Sequence, residues 1–181
     1  MANFLIVIAL LVWVAAAAAR WWFWSRVAQQ GRRMLCGLSV GEMNELLGLP
    51  PGKKSDLRDA AALGSALREA GLTLLEKDGM AMARRRRIGW WNLRVLPALI
   101  ALIAVFSLIS KWAPFPWVLA VGALTIAGHV IVRVSGLAIE LEAVQRASLE
   151  LRQHIRFRRS SEEEEIHRCA RASVWETILP W

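Results

Sequence analysis

Three histidines, two cysteines and fifteen carboxylates are the groups in this 181-residue chain that could ligate a metal, attack a carbonyl or relay a proton. Their spacing limits what they can do. A helical zinc site needs two His one turn apart, and His129, His154 and His167 offer no such pair. Cys36 and Cys169 form no CxxC unit and lie in segments expected to face a reducing compartment, where they stay thiols. One stretch has a catalytic frame. In HExxH the two imidazoles share a Zn²⁺ and the intervening Glu activates the metal-bound water. Here that frame reads Arg68-Glu69-Ala70-Gly71-Leu72, so a cation and an alkyl chain stand at the two ligand positions. Glu69 keeps the general-base position, but a carboxylate with no metal to lower the pKa of water hydrolyses poorly. The frame therefore predicts neither metal nor catalysis.

His129 is the other residue with chemistry to offer. It falls inside an apolar run, in Ala127-Gly128-His129, and an ionisable group at membrane depth is a functional candidate. Its small neighbours would let a haem or chlorophyll ring approach. A histidine satisfied by a neighbouring helix explains the same sequence, and no bound cofactor is expected.

The elements that must position these residues are helical and largely apolar. Hydrophobic residues make up 56% of the chain. Ala2 to Ala19 carries no charge and leads through Arg20 to Trp21, Trp22, Phe23 and Trp24, the pattern of a span with interfacial rings. A cleaved signal peptide would need positive charge before the apolar run, whereas Arg20, Arg26, Arg32 and Arg33 follow it, so an uncleaved anchor is expected. Val95 to Ser110 and Trp117 to Val132 predict a hairpin turning at Lys111-Trp112-Ala113-Pro114-Phe115-Pro116. Trp90 and Trp91 flank one end of it, Trp112 and Trp117 the other. Membrane anchoring thus explains most of the ten Trp.

Charge sets the expected orientation. Arg20 to Arg94 contains fourteen Lys/Arg against seven Asp/Glu, while the hairpin turn has only Lys111, so the long segment belongs in the cytoplasm and the N-terminus outside. The C-terminal segment returns to the cytoplasm. Four pieces follow: an anchor (1–24), a basic helical segment (25–94), the hairpin (95–134) and a helical C-terminal segment (135–181). Arg84, Arg85, Arg86 and Arg87, just before Trp90 and Trp91, sit where guanidinium groups meet anionic headgroups, each attraction being about 1 kcal/mol. Lipid or a partner membrane subunit is the expected contact, not nucleic acid.

Caps and periodicity place the remaining helices. Ser39 with Glu42 reads as a capping box opening a short helix that stops near Gly48. Pro50-Pro51-Gly52 reads as a linker. Ser55 is the expected cap of the next helix, whose apolar stripe is Leu57, Ala60, Leu63, Leu67, Ala70 and Leu74, ending at Gly79. Beyond the hairpin a helix is expected over 135–156, with Glu142 and Arg146 as an i,i+4 pair. Ser160 and Ser161 before Glu162 to Glu165 read as a capped start, with a closing helix from Ile166 to Leu179.

The order of these features resembles the YugP-type neutral zinc metallopeptidases of bacterial membranes. Gly37-Leu38-Ser39-Val40-Gly41-Glu42, Arg68-Glu69-Ala70-Gly71-Leu72, Gly79, Asn92-Leu93-Arg94-Val95-Leu96-Pro97, Leu137-Ala138-Ile139-Glu140-Leu141-Glu142-Ala143 and Gln145-Arg146-Ala147 carry the resemblance. It implies a bacterial inner-membrane location and a former metal helix at Arg68, Glu69 and Leu72, facing Glu140 and Glu142. Arg68 is then expected to pair with one of those carboxylates in place of the metal. The expected fold is an all-α membrane protein with three transmembrane helices and helical cytoplasmic segments. Its expected role is that of a non-catalytic scaffold or accessory subunit. A hydrolase with an unrecognised site and a cofactor-holding subunit using His129 are the alternatives.

Overall fold

The computed structural model describes residues 2–50, 55–80, 102–103, 105–107, 114–155 and 160–178. They are helical, and among them the nearest approach to a sheet is one isolated antiparallel bridge, Leu35 to Asp59. Helix α1 (Ala2–Arg20) passes through a π-helical turn, Trp21–Ser25, into α2 (Arg26–Arg33). Next come α3 (Val40–Leu46) and α4 (Ala60–Lys77). Later in the chain lie α5 (Phe115–Ser135), α6 (Leu137–His154) and α7 (Ser160–Ser173), which tightens into a 3₁₀ turn, Val174–Ile178.

Two helical runs, Phe4–Arg33 and Pro116–His154, are long and apolar enough to cross a membrane. Their apolar stretches pair with each other through small residues: Ala9 and Ala16 of α1, Ala120 and Ala127 of α5, all buried. The two helices run parallel, because the C-terminal halves of both meet in one cluster. Val12, Trp13, Ala16 and Ala17 pack there with Val130, Leu137, Trp175 and Ile178. The outer faces stay bare, with Phe4, Val7, Leu11 and Val14 on α1 and Val121, Ile131 and Val132 on α5 all exposed. The expected second span, Val95 to Ser110, lies outside the described residues except for 102–103 and 105–107, which are helical with Leu102, Ile103, Val105 and Phe106 exposed.

The polar segments fold together at the shared end of α1 and α5. Helix α4 is the centre, lying between α6 and α7 and touching α2 and α3. Its stripe Ala60, Leu63, Leu67 and Ala70 joins Val40 and Met43 of α3, Val144, Ala147 and Leu151 of α6, and Ile166 and Cys169 of α7 in one core. The described parts of segments 25–94 and 135–181 thus share one interior.

Local chemistry explains most helix ends. Ser39 Oγ accepts from the Glu42 amide at 3.2 Å and Glu42 Oε2 accepts from the Ser39 amide at 2.7 Å, the expected capping box. Gly48 and Gly79 adopt φ of 64° and 86° and close α3 and α4 with Schellman turns, Leu49 N to Asn44 O and Met80 N to Leu75 O. The start of α4 is a correction. Asp59, not Ser55, is the N-cap, with Oδ1 accepting from Ala62 N at 2.9 Å, and Leu57 lies outside the helix and exposed. Residues 55–58 are instead drawn out along 36–41 by Gly41 N to Ser55 O, Val40 N to Leu57 O and Cys36 N to Arg58 O. Three further boundaries move. Gly136 interrupts the run between α5 and α6, α6 stops at His154, and the closing helix starts at Ser160, leaving Glu162 and Glu163 in its first turn. Arg146 reaches Asp78 at 3.5 Å rather than Glu142.

Candidate functional site

The Arg68 frame sits midway along α4, where the helix is pressed between two neighbours. At Gly64 a Cβ would come within 2.6 Å of Ala170 N on α7, and at Gly71 within 2.0 Å of the Ala143 carbonyl oxygen on α6. Glycine at these two positions lets α4 touch both backbones at once. Arg68 lies one helical turn from each glycine, and its side chain fills the gap between the neighbouring helices. Its Nη1 is 3.7 Å from Glu140 Oε2 and donates to the Ser173 carbonyl oxygen at 2.5 Å. That carbonyl belongs to the last turn of α7, the negative end of its dipole. Arg68 is 8% exposed and Glu140 2%, so the pair is shielded from water and salt.

The other residues of the frame divide between two faces. Leu72 is buried beside Leu75 and Ala143, so the second ligand position packs as part of the α4–α6 contact. Glu142 is exposed on α6 and takes no part in the pair. Glu69, next in sequence, is exposed and lines a cleft of about 790 Å³ along α4. Among the described residues no group of three His, Cys, Asp or Glu is placed to hold a metal ion.

Of the remaining sequence candidates, His129 is buried, 8% exposed, with Nδ1 and Nε2 both lacking a hydrogen-bond partner among the described residues. Trp21 and Trp22 are exposed, and the Arg26 guanidinium stacks over them at 5.8 and 4.6 Å. Phe23 stacks on Trp175 at 4.7 Å, tying the end of the first helical run to the 3₁₀ turn. Arg84, Arg85, Arg86, Arg87, Trp90 and Trp91 lie outside the described residues.

Cys36 and Cys169 are both buried free thiols. Burial pushes Cys36 up to about 11, helped by Glu162, and Cys169 up to about 12, helped by Glu165. Neither is a nucleophile at neutral pH. The cleft was not visible in the sequence, because its walls come from the π turn, α2, α3, α4 and the 3₁₀ turn. No family model matches the chain, and neither a curated protein nor a solved structure does.

Proposed function

We propose that this chain is a non-catalytic integral membrane protein, a pseudo-metallopeptidase that serves as a scaffold or accessory subunit of a membrane complex. The observation that carries the reading is the Arg68–Glu140 pair. A guanidinium stands where the frame calls for a zinc ligand, already bound to a carboxylate and a helix-end carbonyl. A cation held in this way leaves no room for Zn²⁺ beside it, and Glu69 lines the cleft. The degenerate relation to YugP-type peptidases stays part of the proposal.

The same reading sets the chain in the bacterial cytoplasmic membrane with three spans, N-terminus outside and C-terminus in the cytoplasm. Parallel packing of α1 and α5 supports this count. Two parallel spans require the chain to cross back once between them, and Val95 to Ser110 is the apolar run able to do so. Placing the basic segments at one shared end agrees with the positive-inside bias. Anionic lipid is the proposed contact of Arg84 to Arg87, Trp90 and Trp91, and of the Trp21, Trp22 and Arg26 stack.

Zinc content and peptidase activity of the detergent-purified protein test the reading together. Neither is expected. Stoichiometric zinc, with activity lost in Glu69→Gln, would make the chain a hydrolase instead. A second reading, a subunit holding haem or chlorophyll, rests on the unpartnered ring of His129. It predicts a visible absorption band that disappears in His129→Ala.

A further inference from the structure

The cleft that Glu69 overlooks is chemically unlike the rest of the molecule. The chain carries a net charge of +8, yet among the described residues the cleft walls hold three carboxylates, Asp59, Glu69 and Glu176, against one cation, Arg32. Asp59 is engaged as the α4 N-cap, whereas Glu69 and Glu176 form no ion pair among the described residues. The floor is the outer face of α4. Ala62, Ser65, Ala66, Glu69 and Thr73 follow one another at helical spacing over about 16 Å, small enough for another backbone to come close. The opposite wall supplies Asn44, which is 9% exposed. The π turn puts Trp24, half-buried, at the far end, where an aromatic ring can cover an aliphatic or cationic side chain.

We propose that this cleft seats a cationic amphipathic helix of a partner membrane subunit. Lys or Arg side chains lie against Glu69 and Glu176, the small-residue floor receives the apolar face, and a polar side chain bonds Asn44. The net negative walls favour a basic occupant over an anionic ligand, and the linear floor along α4 suits a helix better than a compact metabolite. The assignment builds on the accessory-subunit reading and says where the partner binds.

The test uses the full-length protein in nanodiscs of zwitterionic lipid and a fluorescein-labelled synthetic helix of roughly sixteen residues, with Lys on its polar face, long enough to follow the floor. A companion peptide carries Gln in place of Lys. The Lys helix is expected to bind, the Gln helix about tenfold more weakly, and the Glu69→Gln/Glu176→Gln protein to bind the Lys helix about tenfold more weakly. Ser65→Trp fills the cleft and is expected to abolish binding with the melting temperature unchanged. Equal affinity for all variants, or for empty nanodiscs, would overturn the proposal. So would a rise in affinity when Arg84 to Arg87 are replaced by Gln, which would assign the cleft to the chain's own basic run. Cleavage of the Lys helix with zinc present would defeat the non-catalytic reading while supporting the cleft's occupant.

Discussion

Gly71 and Ala143 bring α4 and α6 into backbone contact: a Cβ at Gly71 would lie 2.0 Å from the Ala143 carbonyl oxygen and 2.4 Å from its carbonyl carbon. Neither atom can move without shifting a helix, so the clash cannot be relieved by a rotamer change. Gly71→Ala is expected to destabilise the protein by about 3 kcal/mol. Gly128 on α5 provides the contrast, since a Cβ there meets nothing within 4 Å. Thermal unfolding in detergent should show Gly128→Ala unchanged or more stable by up to ~1 kcal/mol, the helix-propensity gain. Equal effects at the two glycines would mean that the α4–α6 contact is looser than this geometry requires.

Single and double replacement of the buried Arg68–Glu140 pair should differ sharply in cost. Removing one partner leaves a charge in the interior, so Arg68→Ala or Glu140→Ala should each cost about 3 to 5 kcal/mol. Replacing both, as Arg68→Met with Glu140→Leu, removes the desolvation penalty along with the attraction and is expected to come within about 1 kcal/mol of the starting stability. The cycle is read from unfolding midpoints. A double variant as unstable as the singles would mean that the Ser173 carbonyl depends on Arg68 as much as Glu140 does.

What could be read in advance divides by the range of the interaction. Ser39 with Glu42, Gly48 and Gly79 fix helix ends through atoms a few residues apart, so their roles follow from order alone. Asp59 displaced Ser55 as the α4 cap because residues 55–58 bond to 36–41, a choice that local signals do not contain. The Arg68–Glu140 pair joins a guanidinium placed among apolar helix positions to a carboxylate of the later acidic segment, a need and a supply that both stand in the sequence. Its third member, the Ser173 carbonyl, is backbone and has no sequence signature. Arg146 found Asp78 across a helix contact instead of Glu142 on its own helix. The Asn44 cleft is assembled from five elements and exists only once they are packed.

The two thiols should be silent in the folded protein and costly in alkali. With values raised to about 11 and about 12, Cys36 and Cys169 stay protonated at pH 8, so N-ethylmaleimide is expected to label them only after unfolding. The unfolded thiols ionise first, near the ordinary value of 9.0, while the folded ones hold their protons. Stability is therefore lost as pH rises above about 9 and continues to fall until the folded thiols ionise. Cys36→Ala with Cys169→Ala should flatten that slope in unfolding curves recorded between pH 8 and about 11.

His167 sets the acid side of the same profile. Burial, then the Arg171 and Arg152 charges, hold its imidazole below the ordinary 6.5, partly offset by Glu163. In the fold it stays neutral after the unfolded chain has taken up a proton. Its contribution is accordingly complete above pH 6.5 and lost as pH falls from 6.5 toward the lower folded value. His167→Gln keeps a polar side chain without the titration, and its melting temperature should change less between pH 7 and about 5 than that of the parent protein. Retention of the full parental slope in His167→Gln would assign the acid sensitivity between pH 7 and about 5 to other groups. The Glu42 carboxylate, held below the ordinary value of 4.5 by the Ser39 capping bonds, adds its loss only at lower pH.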